Sequence, residues 1–260
     1  MLLKGKKIIV TGASGGIASA TVKAYVKEGA LVAALDVNDE LGQKAVNDSN
    51  LGKDGKAKYY HCDVSNKQEV NTVFKQAVQD MGGLDVMVDV AGIAQANTAE
   101  NISEDQLDRV IGVNLKGTIF TNQVAFGEMK EKGGAIINFG SGSALDPTPG
   151  VADYDATKGG IQAWSRAVAA SWGPYNIRVN AVNPAATSIN GTKVMSTGAG
   201  KEDPEVQKFT EMLKMMIPLG GKMGDSEKDI APVMVFLASD LSHFMTGQMF
   251  NIDGGFSFVR

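Results

Sequence analysis

The chain reads as α/β: a single Rossmann-type doubly wound parallel sheet of about seven strands, with helices on both faces. Three observations predict it. Short apolar runs rich in Val and Ile recur with little polar alternation, as strands buried on both faces require. Amphipathic stretches separate these runs, and strand–helix alternation gives a parallel sheet with right-handed crossovers. A glycine-rich turn, Gly12-Ala13-Ser14-Gly15-Gly16, joins the first run to the first helix. With 260 residues the chain can bury a large core as one domain over 1–260.

The elements follow in order. The first strand, 7–11, carries Ile8, Ile9 and Val10, and the helix at 17–28 opens after the glycines. A strand at 31–36 runs from Leu31 to Asp36 and leads to a polar helix at 39–50. The strand at 57–62 ends at Cys62, ahead of a helix at 67–81. The apolar run 84–90 precedes one long helix, 104–131, and the run 135–139 precedes a helix at 155–172. Strands at 177–182 and 248–252 flank a last helix at 226–237. From 185 to 223 the rhythm breaks into Gly, Ser, Thr, Lys and Met. A long irregular insert in a compact domain is usually functional, so this segment is expected to be a lid over the substrate.

The helix at 155–172 is small or apolar almost all round, with Ala156, Gly159, Gly160, Ile161, Ala163, Trp164, Ala167, Val168 and Ala170. A helix of that kind is buried on more than one side. One side meets the sheet; the other implies a second copy of the chain, in a dimer or tetramer.

Composition excludes several classes. A net charge of −4 argues against nucleic acid or an anionic membrane as the main partner. No apolar run is long enough to span a bilayer, and the N-terminus shows no secretory signal pattern, so a cytoplasmic protein is expected. Cys62 is the lone cysteine and reads as core packing. His61 and His243 are far apart with few other ligand types nearby, so no metal is expected.

The glycine-rich turn has the spacing Gly-x-x-x-Gly-x-Ala between a strand and a helix, where backbone N–H groups can hold a pyrophosphate. Its candidate residues are Gly12, Ser14, Gly15, Gly16 and Ile17. Asp36 ends the second strand, about where an acid reaches the adenosine ribose hydroxyls. A carboxylate there repels a 2′-phosphate, and no Lys or Arg occurs from Thr11 to Ala20 or from Val32 to Asn38. The expected cofactor is therefore NAD. Asp36 could instead cap the following helix, a role open to Asp39 as well. Asp63-Val64 could meet the adenine amino group or form a solvent-facing turn. Ala91-Gly92 allows close backbone approach to the cofactor or simply ends its strand.

Tyr154 and Lys158 lie four apart on a helix and project from one face. An ammonium near a phenol favours the phenolate, and a phenol with a tuned pKa is a usable acid or base. Beside a bound dinucleotide, that is the chemistry of alcohol–carbonyl redox.

Together these residues resemble the short-chain dehydrogenase/reductase family. The matches are Thr11-Gly12…Gly16-Ile17, Asp36, Asp63-Val64, Ala91-Gly92, Asn114-Leu115-Lys116-Gly117, Ser141, Tyr154…Lys158, Asn183-Pro184 and Asp253-Gly254-Gly255. They occur in family order over nearly the whole chain. The resemblance implies a catalytic tetrad of Asn114, Ser141, Tyr154 and Lys158. Tyr154 exchanges the substrate hydroxyl proton, Lys158 lowers the Tyr154 pKa and holds the nicotinamide ribose, and Ser141 hydrogen-bonds the substrate oxygen. Asn114 holds a water and backbone arrangement linking Lys158 to solvent. Pro184 and Thr187 are expected beside the nicotinamide, with Thr187 or Ser188 standing in for the family's threonine, which is Ile189 here.

The chain departs from the family pattern elsewhere. Ala18 replaces the third glycine of the turn, and Pro184-Ala185 replaces Pro-Gly. Asp89-Val90-Ala91-Gly92 replaces Asn-Asn-Ala-Gly, so the network under the cofactor must be rebuilt.

For the substrate, Gly142, Ser143 and Ala144 are expected to line the pocket. Met195, Met212, Met215, Met216 and Met223 would supply adaptable apolar contacts or pack the lid. Asp146 and Asp153 either lie near the pocket and argue against a carboxylate or are solvated loop residues. Acyl-carrier-protein reduction is disfavoured by Asp36 and by Glu128 and Glu131. The expectation is an NAD-dependent dehydrogenase of a small or medium secondary alcohol, reversible to the ketone. The alternatives are a sugar, ring alcohol or hydroxysteroid as substrate, or a non-catalytic NAD-sensing protein.

Overall fold

The computed structural model describes residues 1–51, 54–146, 149–186, 211 and 215–257. Seven strands form one sheet in the order β3-β2-β1-β4-β5-β6-β7. They are β1 Lys7–Thr11, β2 Leu31–Asp36, β3 Lys56–His61, β4 Val86–Asp89, β5 Gly134–Phe139, β6 Ile177–Pro184 and β7 Met249–Ile252. All neighbouring pairs are parallel. The order reverses at β1, whose neighbours are β2 and β4, so a crevice opens beyond the carboxyl ends of β1 and β4.

Successive residues of a strand face opposite sides of the sheet. Ile8 and Val10 enter one core cluster with Val22, Tyr25, Met234 and Leu237. Ile9 enters the other with Phe74, Ala125, Met129 and Val168. Each such side chain contributes roughly 1.5–3 kcal/mol on burial, and a strand with both faces covered has few places for a polar residue. The two edge strands are less covered: β3 exposes Lys56, Lys58 and His61, and β7 is half-buried along its length.

Helices α1 Gly16–Lys27, α2 Asp39–Ser49, α3 Lys67–Met81, α4 Glu104–Val110, α5 Gly117–Met129, α6 Ala152–Trp172 and α7 Ala231–Ala238 flank the sheet. The long helix expected over 104–131 is interrupted. Residues Ile111–Lys116 form a π-helical turn between α4 and α5, a distortion that often accompanies a functional side chain. Asn114 sits inside it.

Most of the 185–223 segment, including Met195 and Met212, lies outside the described residues. Its described end is docked. Ile217 is fully buried, and Leu219 N–H donates to Gly254 O at 2.9 Å. Of the methionines expected to line the pocket or pack the lid, Met215 and Met216 are exposed. Cys62 is buried, and burial pushes its thiol up to about 12. No helix among the described residues is long and apolar enough to cross a membrane.

Candidate active site

The β1–α1 corner combines a tight glycine turn with a helix start that no side chain caps. Gly12 has φ +69°, and a Cβ there would stand 2.9 Å from Ala91 Cα and N, so glycine alone permits the approach of these two loops. Gly15 N–H closes the turn on Gly12 O at 3.0 Å. α1 then starts with no side-chain cap and no acidic residue in its first turn. Its first N–H groups and its positive dipole end are left without a capping side chain.

Asp36 joins this corner to the end of β2. Its Oδ2 accepts Ser14 N–H and its Oδ1 accepts Asn38 N–H, both at 2.9 Å. It does not cap α2, and neither does Asp39. Asn38 caps α2 by accepting Leu41 N–H at 3.0 Å. Asp39 instead meets His61 Nδ1 at 2.7 Å and Tyr59 Oη at 2.8 Å. Asp63 Oδ1 accepts both Ser65 N–H and Ser65 Oγ–H, at 2.8 and 2.7 Å. Val64 is buried where a Cβ on Gly117 would touch it at 3.0 Å.

Asp89 rebuilds the network beneath the crevice. Thr11 Oγ1 donates to its Oδ1 at 2.5 Å and Thr121 Oγ1 donates to its Oδ2 at 2.7 Å. Thr11 Oγ1 in turn accepts Val90 N–H and Ala91 N–H at 3.2 Å. Burial pushes the Asp89 carboxyl above its usual range, opposed by the threonine hydroxyls and by Lys158. Sequence reading saw that a carboxylate stood here. It missed the partners, which lie on β1 and α5.

Asn114, Ser141, Tyr154 and Lys158 converge beside this network. Asn114 Oδ1 accepts Ile93 N–H at 2.8 Å. Its Nδ2 donates to Ile93 O at 2.9 Å and to Thr157 Oγ1 at 3.1 Å. The π turn thus pins the 91–93 backbone to α6. A Cβ on Gly92 would lie 3.4 Å from both Asn114 Oδ1 and Lys158 Nζ, so these two groups face the same small space.

Lys158 is buried, donates to Phe139 O at 2.8 Å, and lies 5.5 Å from the centre of the Tyr154 ring. Burial lowers its pKa to about 8, and Asp89 opposes that fall. Burial raises the Tyr154 pKa, while the Ser141 hydroxyl, within hydrogen-bonding reach of the phenol, lowers it. The net direction is upward, opposite to the lowering that the resemblance implies. Desolvation of the phenolate outweighs the hydrogen bond that would stabilise it.

Pro184 ends β6 beside Ile252 of β7. Thr187, Ser188 and Ile189 lie outside the described residues. Asp153 does not present its carboxylate to a pocket. It is 3 % exposed, its Oδ2 accepts Gln106 Nε2–H at 2.8 Å, and its Oδ1 accepts Tyr154 N–H at 2.8 Å. The charge argument drawn from Asp153 against a carboxylate substrate therefore falls.

The chain is similar to known proteins over nearly its whole length. The family model described as Enoyl-(Acyl carrier protein) reductase matches residues 12–257. The 3-oxoacyl-(acyl-carrier-protein) reductase FabG of Thermotoga maritima is 35% identical, covering 98% of this chain and 99% of its own. The 2-(S)-hydroxypropyl-CoM dehydrogenase 3 of Xanthobacter autotrophicus is also 35% identical, over 99% and 98%. A crystal structure of 3-ketoacyl-(acyl-carrier-protein) reductase from Brucella melitensis, complexed with NADH, superposes with a TM-score of 0.86. It is 27% identical and covers 98% of this chain and 100% of that one. The chain belongs to the short-chain dehydrogenase/reductase family and is an oxidoreductase that uses a nicotinamide cofactor.

Proposed function

We propose that the protein transfers hydride between NAD(H) and a small or medium secondary alcohol or ketone, with Tyr154 as acid/base. One observation carries the reading: the Tyr154 phenol is within hydrogen-bonding reach of the Ser141 hydroxyl, and buried Lys158 Nζ lies 5.5 Å from the centre of its ring.

The residues present fit a dinucleotide. A glycine turn in which a Cβ on Gly12 would strike the Ala91 backbone, and a helix start without a cap, suit a pyrophosphate held by Gly12, Ser14, Gly15, Gly16 and Ile17. Asp36 would take the adenosine ribose, and Asp63 and Val64 the adenine. Ala91, Gly92, Pro184 and Thr187 would border the nicotinamide end, where Tyr154 and Lys158 hold the ribose. When bound, NAD supplies the hydride acceptor and NADH the donor.

The protein's own part is proton handling. Tyr154, with its pKa raised by burial, carries its proton at neutral pH and can hand it to a carbonyl oxygen that Ser141 polarises. In the oxidative direction the same phenol must first lose that proton, so oxidation gains as pH rises. Lys158, titrating at about 8, is substantially charged at neutral pH and stabilises the phenolate left behind. Asn114 positions Lys158 by fixing the 91–93 backbone against α6.

The preference for NAD rests on the Asp36 carboxylate. That argument does not separate free ketones from carrier-bound ones, because the Brucella ketoacyl reductase structure itself holds NADH. The exposed Ala156, Ala163, Ala167 and Ala170 of α6 support assembly as a dimer or tetramer.

Tyr154→Phe should lower kcat/KM by roughly 10²–10⁴-fold while NADH binding, followed by nicotinamide fluorescence, stays near wild type. Turnover comparable to wild type would remove Tyr154 from the role. Asp36→Ala should narrow the ratio of NAD to NADP affinity; an unchanged ratio would show that Asp36 only braces the glycine turn.

A further inference from the structure

The chain turns back after β7 and returns to the site. Asp253 closes that turn, its Oδ1 accepting Gly255 N–H at 2.9 Å and its Oδ2 accepting Ser257 N–H at 2.8 Å. Ser257 is 6 % exposed, and its Oγ has no hydrogen-bond partner among the described residues. Burying an unpaired hydroxyl carries its full desolvation cost, so such a group calls for an explanation. This one lies against Gly142, the residue after Ser141. A Cβ on Gly142 would come within 2.9 Å of Ser257 Oγ.

A run of amides, buried at Gln162 and Asn183 and half-buried at Asn251, ties the two places together. Gln162 Nε2 donates to Ser141 O at 3.0 Å and to Asn183 Oδ1 at 3.1 Å. Asn183 Nδ2 donates to Asn251 Oδ1 at 2.9 Å, and Asn251 Nδ2 donates to Ser257 O at 3.1 Å. The relay crosses α6, β6 and β7 and fixes the main chain of Ser257 relative to that of Ser141. The Ser257 main chain is satisfied while its side chain is left free, which is the pattern of a group reserved for a ligand.

We propose that Ser257 contacts the substrate and sets its specificity, hydrogen-bonding a second oxygen while the reacting oxygen rests on Ser141 and Tyr154. The inference rests on the reading of Tyr154 as acid/base. Consecutive Cα atoms are about 3.8 Å apart, so a hydroxyl beside Gly142 and one on Ser141 suit oxygens on neighbouring or next-neighbouring carbons. A hydroxyl both donates and accepts, so the second oxygen can be a carbonyl or a hydroxyl. The substrate class is then a ketone or alcohol with such an oxygen, a 3-oxo ester or a vicinal hydroxyketone, in preference to a plain ketone. An analogue without that oxygen leaves the buried hydroxyl unpaired and is rejected.

The test compares NADH-dependent reduction of methyl 3-oxobutanoate and 3-hydroxy-2-butanone with that of 2-pentanone, in wild type, Ser257→Ala and Ser257→Thr. Wild type should favour at least one oxygenated ketone. Ser257→Ala should lose about tenfold in kcat/KM on that substrate and little on 2-pentanone, while Ser257→Thr, which keeps a hydroxyl, retains the preference. Parallel loss on all ketones would show that Ser257 only packs the C-terminal turn. Unchanged discrimination in Ser257→Ala would equally overturn the proposal. Calorimetric titration of the same ketones into the enzyme–NADH complex reads the preference without turnover. Selective binding lost in Ser257→Ala, with no turnover in wild type, would uphold Ser257 and sink the dehydrogenase reading instead. Equal affinities in wild type and Ser257→Ala would sink Ser257.

Discussion

The first two strand-to-helix corners have the same topology and opposite chemistry. At β2–α2, Asn38 caps the helix and Asp39 and Glu40 sit in its first turn. At β1–α1, Gly15 occupies the capping position and no side chain satisfies the helix start. α3 and α4 follow the β2–α2 pattern, capped by the side chains of Asn66 and Ser103. A capping side chain is worth about 1 kcal/mol over alanine but only a few tenths over glycine, so leaving α1 bare sacrifices little local stability. What the bare end retains is a cluster of N–H donors and a positive dipole beside the crevice. The corner without a capping side chain is the one proposed above to hold a diphosphate.

Three substitutions break or sharpen that contrast. The largest effect is expected from Gly12→Ala. It adds roughly 1–3 kcal/mol of strain at a positive φ and drives a methyl into the Ala91 backbone. NADH affinity should fall more than tenfold, about 1.4 kcal/mol or more, with a lowered Tm; fluorescence titration and thermal unfolding read both. Next is Gly15→Asp, which gives α1 the kind of cap that α2 has. The expected gain in stability of the free protein is only a few tenths of a kcal/mol, since glycine is itself a tolerated cap. NADH affinity should drop about tenfold, because the new carboxylate occupies the place of the pyrophosphate. Unfolding midpoints with and without NADH would expose the trade, and a variant that binds as tightly as wild type would contradict it. The smallest effect on function is expected from Asn38→Ala. Loss of the α2 cap should cost about 1 kcal/mol by denaturant unfolding while NADH affinity stays unchanged.

Much of the fold was legible because its signals are local. The seven apolar runs became the seven strands, with ends displaced by a residue or two in most cases, as hydrogen-bond-defined boundaries allow. Tyr154 and Lys158 were legible for the same reason, since helical geometry alone places them on one face. The single helix expected over 104–131 failed because periodicity carries no mark of a π turn. The turn exists for the contacts Asn114 makes with Ile93 and Thr157, residues distant in sequence. Asp39 as an alternative cap failed because His61 and Tyr59 on β3 compete for its carboxylate. Asp153 was read as pocket-lining because it adjoins Tyr154, yet a helix turns neighbouring residues to different sides.

The amino-acid sequence by itself determined the strand–helix alternation, the glycine corner, the acid at the end of β2 and the Tyr–Lys pair. Each depends on spacings of a few residues and on backbone preferences that act locally. Tertiary structure alone decided the partners of Asp89, the upward shift of Tyr154, the depressed pKa of Lys158 and the amide relay from Ser141 to Ser257. These depend on desolvation and on contacts between residues far apart in the chain. Such quantities come into being only once the sheet has assembled and excluded water from the crevice.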